Sequence, residues 1–198
     1  IYVAYNIRQH PIINFIKKKV RIDSIYNIRI KCNSYLPNWR NENYKNYYSA
    51  EKYLGGGVLL DLSHEIDYLS YLFGPIKIKY AFTNKISNLQ ISSEDYAYIN
   101  GLIKSKAIFS LELSYNSRNE ERNIVIDTKT FSIKADFLKN QIKIISKKSN
   151  KIIRFSKNEM QKTYETQLRY FLNNNFSKLC DFNEALNINL IIDKIKKL

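Results

Sequence analysis

The stretch GGGVLLDLSHEIDYLSYLFG, residues 55–74, carries the clearest structural signal in the sequence. Three of the chain's five glycines stand together at its start, which indicates a backbone geometry that other residues adopt poorly. Val58 to Phe73 then has helical periodicity, and Gly74-Pro75 is a typical helix end. The apolar arc consists of Leu59, Leu62, Ile66, Leu69 and Phe73. We therefore predict a helix over 58–73 that packs this arc against a sheet.

The opposite arc of this helix is polar and contains Asp61, His64, Asp67 and Tyr68. Asp61 and His64 are three residues apart, so on a helix their side chains can be neighbours. A carboxylate beside an imidazole raises the pKa of the ring and orients it, which suits a general base. From the residue pattern alone, a solvated polar face without chemistry is the simpler interpretation.

Outward from this stretch, the pattern predicts one α+β domain over 1–198. Before it, we predict a strand over 1–8, a helix that opens at Pro11, a strand over 24–35 and a long loop over 36–53. After it, the predicted strands are 76–83, 95–104, 107–115, 122–127, 130–136, 141–146 and 151–155, and the predicted helices are 157–175 and 182–198. Successive strands of this kind indicate a largely antiparallel sheet.

The charge and cysteine content exclude few classes of protein. The net charge of +14 suggests a basic nucleic-acid-binding protein as one alternative, but the lysines are scattered and accompany abundant Asn, Ile and Tyr, which is typical of an AT-rich coding bias. Cys32 and Cys180 form no C-x-x-C pair, so neither zinc nor a disulfide is indicated. No apolar run reaches the ~18 residues of a membrane span, and no leader opens the chain. We expect a cytoplasmic protein with no membrane or nucleic-acid partner.

Several motifs together resemble the second domain of the Gfo/Idh/MocA oxidoreductases. YNIRQHP (5–11) is similar to the Y-N-x-R-x-x-P segment that opens that domain. SYLPNWRNENYKNYYSAEKYLGGG (34–57) is similar to the family's Y-L-P-x-W-R loop and the Tyr-Ser segment after it. The glycine run followed by a helix with Asp and His is the third shared feature, and the resemblance covers essentially all 198 residues.

The resemblance implies a mixed, mostly antiparallel sheet with helices packed on one face. The other face would serve in subunit association, so we expect a homo-oligomer. NAD or NADP would bind to a Rossmann domain that precedes residue 1, and this chain alone would bind no cofactor and be inactive. The sequence has no G-x-G-x-x-G after a strand, and Gly55-Gly56-Gly57 lacks that spacing. The family's Glu-Lys-Pro motif would also lie upstream.

The resemblance implies a reaction at a secondary hydroxyl of a sugar, nucleotide sugar or cyclitol. His64 would be the general base, and Asp61 would orient it or bind the substrate hydroxyl. Many family members place His four residues after Asp, whereas here the spacing is three. The candidate substrate-binding residues are Asn6, Arg8, Tyr35, Trp39, Arg40 and Tyr48. Alternatives remain for Arg8, which could form a structural salt bridge, and for Trp39, which could anchor its loop.

Two further hypotheses compete with the enzyme. A non-catalytic binding or assembly domain could retain the fold and lose the reaction, and it would bind no NADH or NADPH even in the full-length protein. A basic nucleic-acid binder would be retained on DNA in a strongly salt-dependent way.

Overall fold

Strands with alternating apolar residues form most of the chain between residues 25 and 154. The structure, a computed structural model, describes all residues, 1–198. The ten strands are β1 (Tyr2–Val3), β2 (Ile25–Tyr35), β3 (Lys77–Asn84), β4 (Tyr96–Leu102), β5 (Ile108–Ser114), β6 (Asn116–Thr128), β7 (Phe131–Asp136), β8 (Gln141–Ser146), β9 (Asn150–Arg154) and β10 (Cys180–Asp181). The five α-helices are α1 (Pro11–Lys19), α2 (Val58–Asp61), α3 (His64–Phe73), α4 (Glu159–Leu172) and α5 (Phe182–Ile195).

The main sheet has eight strands in the order β3-β4-β5-β2-β6-β7-β8-β9. Only β2 and β5 are parallel, and every other neighbouring pair is antiparallel. The prediction of a mixed, mostly antiparallel sheet is therefore confirmed. The helices pack on one face of the sheet. Side chains on that face, such as Ile28, Ile126 and Leu111, are fully buried in the core that the sheet and the helices share. None of the five helices has both the length and the apolar character that crossing a bilayer requires.

The strand predicted over 1–8 is wrong for most of its length. Only Tyr2–Val3 is extended, and it pairs with Cys180–Asp181 at the chain's other end. Asn6–Gln9 forms a 3₁₀ turn instead. This turn lets the buried Arg8 side chain reach carboxylates on two helices, a tertiary interaction that the local alternation did not reveal.

The helix predicted over 58–73 is interrupted between Asp61 and His64. Leu62 has φ −101° and ψ 25°, outside the helical region. The backbone bonds tighten here, because Ser63 N–H donates to the Leu60 carbonyl and Glu65 N–H donates to the Leu62 carbonyl. The break gives two helices and removes the regular i,i+3 geometry that the sequence predicted for Asp61 and His64.

The polar arc of this segment is buried at Asp67 and Tyr68. Asp67 is 1% exposed and Tyr68 is 0% exposed. Asp67 binds Arg8, while the Tyr68 ring stacks on Phe137 at 5.8 Å between centroids. Asp61 and His64 are partly exposed, so the interpretation as a solvated polar face is wrong for only part of the arc.

Strand β6 begins six residues earlier than predicted. Residues 116–121 were interpreted as a polar connection, yet Tyr35 pairs with Asn116 and Asn33 pairs with Glu121 across an irregularity in β2. Their polarity follows from their position, because this end of the β2–β6 pair borders two cavities of about 410 and 330 Å³.

Candidate active site

A cavity of about 330 Å³ lies between the α2–α3 break and the paired ends of β2 and β6. It is lined by Cys32, Asn33, Ser34, Trp39, Asp61, Leu62, His64, Glu120, Glu121, Arg122 and Leu138. We call it the histidine cavity. It brings together three of the eight residues predicted from the sequence, namely His64, Asp61 and Trp39.

His64 is the first residue of α3 and is partly exposed. Its Nδ1 atom is buried without a hydrogen-bond partner, whereas Nε2 makes no bond within the protein and is not buried. The Tyr5 ring packs edge-on against the imidazole at 5.3 Å, and Tyr5 also donates to Ser63 at 3.3 Å. The ring is therefore held by packing, with a free nitrogen available to a molecule in the cavity.

Burial lowers the pKa of His64 below its ordinary value of 6.5. The carboxylate of Glu65 opposes this shift, and Arg122 adds to it. The sequence predicted a raised pKa through Asp61, and the shift has the opposite sign because desolvation dominates. A neutral imidazole at pH 7 is suited to accept a proton.

Asp61 does not hydrogen-bond to His64. Its Oδ2 atom accepts a 2.6 Å hydrogen bond from the hydroxyl of Tyr115, which is fully buried. Tyr48 lies close by, since the Asp61 charge contributes with burial to a raised pKa of that phenol. The carboxylate thus has a fixed orientation at the cavity wall, set by Tyr115 and independent of the imidazole.

Trp39 anchors its loop, which is one of the two roles considered for it. Its Nε1–H donates to Ser34 Oγ at 2.9 Å, and its ring packs edge-on against Tyr115 at 5.1 Å. These contacts anchor the loop after β2. The indole also lines the histidine cavity, where its face can contact the apolar face of a sugar ring.

The acidic wall of the cavity was missed by the sequence interpretation. Glu120, Glu121 and Arg122 all lie on β6, in the segment partly assigned to a loop. Arg122 donates to the fully buried Glu65 at 2.7 and 3.1 Å, so its charge is already compensated. Glu120 and Glu121 have no ion-pair partner, and with Asp61 they make the cavity anionic. The cluster of four charged residues within 118–122 was the available signal.

The structure places Asn6 and Arg8 away from this cavity. Arg8 is 3% exposed and binds Asp67 at 2.6 Å and Glu184 at 2.7 Å. Asn6 donates to Thr163 Oγ1 at 2.6 Å. Their polar groups are satisfied inside the protein, so the structural salt bridge is the correct alternative for Arg8, and we withdraw both residues as substrate ligands.

The remaining predicted residues are dispersed around the loop. Tyr35 lines a neighbouring cavity, where its hydroxyl accepts a 3.1 Å bond from Arg118. Arg40 lies 4.1 Å from the Tyr47 ring and lines neither cavity. Tyr48 is 48% exposed beside Asp61.

The glycine run does not form a phosphate-binding loop. Gly57 has φ 125°, and the Glu94 carboxyl group occupies the space where a side chain on Gly57 would lie. The first amide of α2, on Val58, donates to the Glu94 carbonyl. A carboxylate at this position would repel a pyrophosphate, so the run does not fit a dinucleotide.

The sequence pattern of the GFO/IDH/MocA C-terminal domain matches residues 18–134, more than half of the chain. This chain belongs to the Gfo/Idh/MocA family. The match includes the α2–α3 segment, the loop with Trp39 and the cavity-lining part of β6. No curated protein sequence matches the chain significantly.

Solved structures show the same fold as this Gfo/Idh/MocA domain. A levoglucosan dehydrogenase in complex with NADH has a TM-score of 0.81 and 18% identity, covering 98% of this chain and 62% of its own. UDP-N-acetylglucosamine 3-dehydrogenase from Acidithiobacillus ferrooxidans has a TM-score of 0.76 and 15% identity, covering 98% and 59%. The WlbA dehydrogenase from Bordetella pertussis, in complex with NADH and UDP-GlcNAcA, has a TM-score of 0.72 and 17% identity, covering 99% and 59%. The chain thus spans about 60% of the length of these proteins.

Proposed function

We propose that this chain is the substrate-binding domain of a nicotinamide-dependent oxidoreductase that acts on a secondary hydroxyl of a sugar, nucleotide sugar or cyclitol. The observation that carries the proposal is the free Nε2 of a neutral His64 in a cavity that also contains Asp61 and Trp39. Membership of the Gfo/Idh/MocA family and the dehydrogenases that share the fold support it.

His64 serves as the general base in this proposal. Its lowered pKa keeps the imidazole neutral at neutral pH, and in the tautomer with the proton on Nδ1 the unprotonated Nε2 takes the proton of the substrate hydroxyl. A nicotinamide cofactor, when bound, accepts the hydride from the carbon that carries this hydroxyl. The orphaned Nδ1 then carries the remaining ring proton, and the packed Tyr5 ring holds the imidazole in place.

Asp61 and Trp39 bind the substrate. The Asp61 carboxylate is held by Tyr115 and has a second oxygen free to accept from a sugar hydroxyl. Trp39 offers an aromatic face to the sugar's C–H groups, and its anchored indole needs no rearrangement. Tyr48 adds a hydroxyl on the same side. A cavity rich in carboxylates favours a neutral polyol ring at this position.

The cofactor belongs to a separate Rossmann domain in this proposal. The surface of α4 supports it, because Tyr164, Leu168, Phe171 and Leu172 are 50–68% exposed on one side of that helix. Tyr2 and Phe176 extend this apolar surface through stacked rings 5.0 Å apart. A second domain that covers the surface would remove these side chains from water.

A second copy of the chain is proposed to cover the open face of the sheet. This face mixes exposed apolar side chains such as Tyr26 and Ile108 with cross-strand ion pairs. Arg29 binds Asp127 at 2.8 Å, and Lys31 lies 3.4 Å from Glu112. Interfaces between protein subunits commonly combine apolar side chains with polar and charged groups in this way.

The test is turnover of the full-length protein with the His64→Ala substitution. We expect kcat to fall at least a hundredfold with little change in NADH or NADPH binding, because a general base contributes roughly 10²–10⁴ in rate. In the wild type, kcat/KM should fall with decreasing pH, with a midpoint below pH 6.5 that reports the lowered pKa of His64. This fall should be absent in the variant.

Three outcomes would contradict the proposal. Turnover of His64→Ala within a few fold of wild type would remove the assigned base. Absence of NADH and NADPH binding to the full-length protein would favour the non-catalytic domain. Retention on DNA that falls steeply with salt would favour the nucleic-acid binder.

A further inference from the structure

A second cavity of about 410 Å³ lies beside the histidine cavity, along the same strand pair. It is lined by Tyr35, Pro37, Tyr44, Ser87, Asn88, Leu89, Asn116 and Arg118. We call it the arginine cavity. The turn after β2 separates the two, since Pro37 lines the arginine cavity and Trp39 lines the histidine cavity.

Arg118 is the only charged residue in the lining, and it has no ion-pair partner anywhere in the chain. Its guanidinium stacks on the Tyr35 ring at 4.4 Å and donates to the Tyr35 hydroxyl at 3.1 Å. These two contacts orient the guanidinium without neutralising it. The remaining N–H groups are free to donate to an anion.

The other polar groups of the arginine cavity are donors or neutral. The Asn88 side chain makes no hydrogen bond within the protein. The side-chain nitrogen of Asn116, Nδ2, donates to no acceptor in the protein. The nearby Asp95 carboxylate is fully buried and accepts from the backbone N–H groups of Ile86 and Ser87. No carboxylate therefore opposes an anion in this cavity.

The two cavities differ in charge. The histidine cavity contains Asp61, Glu120 and Glu121, whereas the arginine cavity contains an uncompensated guanidinium. The two cavities adjoin along β2, because Ser34 lines the histidine cavity and Tyr35 lines the arginine cavity. A sugar ring and the phosphate bonded to it could therefore occupy the two cavities together.

We propose that the arginine cavity binds the phosphate group of a phosphorylated sugar or nucleoside-diphosphate sugar, through Arg118. The proposal rests on the proposed function and narrows its substrate class, because the ring would lie in the histidine cavity beside His64 and Asp61. Free sugars and cyclitols carry no anionic group for the exposed guanidinium to bind.

The test is titration of the chain with glucose 1-phosphate, glucose and inorganic phosphate, followed by NMR of the arginine and asparagine side-chain N–H groups. We expect glucose 1-phosphate to shift Arg118 Nε–H and the Asn88 and Asn116 amides, and glucose to leave them unchanged. Arg118→Gln should weaken binding of glucose 1-phosphate tenfold or more, because a charge-assisted hydrogen bond is lost. Arg40→Gln is the matched control, since Arg40 also stacks on a tyrosine but lines neither cavity.

Loss of glucose 1-phosphate binding in Arg40→Gln but not in Arg118→Gln would overturn the proposal, and so would equal affinity of glucose and glucose 1-phosphate for the wild type. Arg118-dependent binding of glucose 1-phosphate and of inorganic phosphate alike, with His64→Ala still active in the full-length protein, would retain the phosphate site and reject the proposed function. Shifts confined to the Arg118 cavity with inorganic phosphate alone, and none with glucose 1-phosphate, would reject the sugar phosphate.

Discussion

The hydroxyl of Tyr115 donates a 2.6 Å hydrogen bond to Asp61, so a buried residue of the sheet sets the orientation of a carboxylate at the cavity wall. The same Tyr115 ring packs edge-on against Trp39. One side chain thus supports both proposed substrate contacts, although it follows β5 and the carboxylate belongs to α2. The α2–α3 break removes the helical spacing that would have placed His64 beside Asp61. The orientation of the Asp61 carboxylate therefore depends on Tyr115.

Tyr115→Phe should remove the bond and keep the ring packing. We expect the free energy of unfolding to fall by about 1–2 kcal/mol, since the partly exposed Asp61 carboxylate loses a donor. In the full-length protein KM should rise more than kcat falls, because Asp61 binds substrate in our proposal. Urea denaturation and steady-state kinetics measure the two effects. Tyr26→Phe is the control, since Tyr26 is 59% exposed and makes no side-chain hydrogen bond; equal effects of both changes would contradict the assignment.

The buried pair between Arg8 and Asp67 should contribute strongly to stability, and neither residue should contribute directly to catalysis. Their side chains are 4% and 1% exposed. Arg8→Met leaves the buried Asp67 carboxylate uncompensated, so it should destabilise by roughly 3–5 kcal/mol in urea denaturation. Asp67→Asn should destabilise less, because Arg8 keeps its ion pair with Glu184. Replacing both together should cost less than the sum. Arg21→Met removes an exposed pair with Asp23 and should change little.

Unchanged stability of Arg8→Met, together with a large rise in KM of the full-length protein, would instead restore Arg8 as a substrate ligand. If the effects of the two changes on stability are strictly additive, the ion pair contributes no coupling energy between the 3₁₀ turn over Asn6–Gln9 and α3.

Local patterns predicted most of the fold. The strands β2 to β5 and β7 to β9 and helices α1, α4 and α5 were found within a few residues, because their apolar alternation or helical periodicity is strong. The glycine run, the Trp39 loop and His64 were identified through their resemblance to a family. The features that failed depend on distant partners. Neither the break before His64 nor the burial of Asp67 follows from neighbours in sequence, since Tyr115 and Arg8 lie more than fifty residues away.

The cavity walls were the least predictable part of the site. Residues 116–121 are polar, so they read as a connection, and only pairing with β2 makes them a strand. Glu120 then lines the histidine cavity, and Arg118 and Asn116 line the arginine cavity. No local sequence pattern predicts these two cavities. Candidate ligands on strands with both faces polar are hard to separate from loops by periodicity alone.

Gly57 should tolerate substitution less well than Gly55. Both have positive φ, 125° and 83°, but only Gly57 faces a neighbour, the Glu94 carboxyl group. Gly55→Ala should cost about 1–2 kcal/mol through backbone strain, and Gly57→Ala should cost more, because overlap adds to strain. Adding Glu94→Ala to Gly57→Ala should recover the overlap part in thermal or urea denaturation. Equal costs at the two glycines would show that Glu94 moves away freely.

His10 should make the stability of the chain depend on pH. It caps α1, because Nδ1 accepts from the Ile12 N–H at 3.2 Å. Nε2 is then the protonated nitrogen and donates to Asn140 Oδ1 at 3.1 Å. Burial lowers the pKa of His10 from 6.5 to about 4, against smaller opposing contributions from Asn140 and Glu159. Protonation would place a hydrogen on Nδ1 against the Ile12 amide.

The sign of the pH effect follows from this lowered pKa. The unfolded chain binds a proton below about pH 6.5, while the folded chain resists until about pH 4, so the stabilisation is complete above 6.5 and is lost as pH falls between these values. The loss should be on the order of 3 kcal/mol. Urea denaturation from pH 7.5 to 4 measures it, and His10→Gln, which cannot be protonated, should flatten the profile relative to wild type. Parallel profiles for the two proteins would mean that carboxylates alone cause the acid instability and that His10 titrates normally.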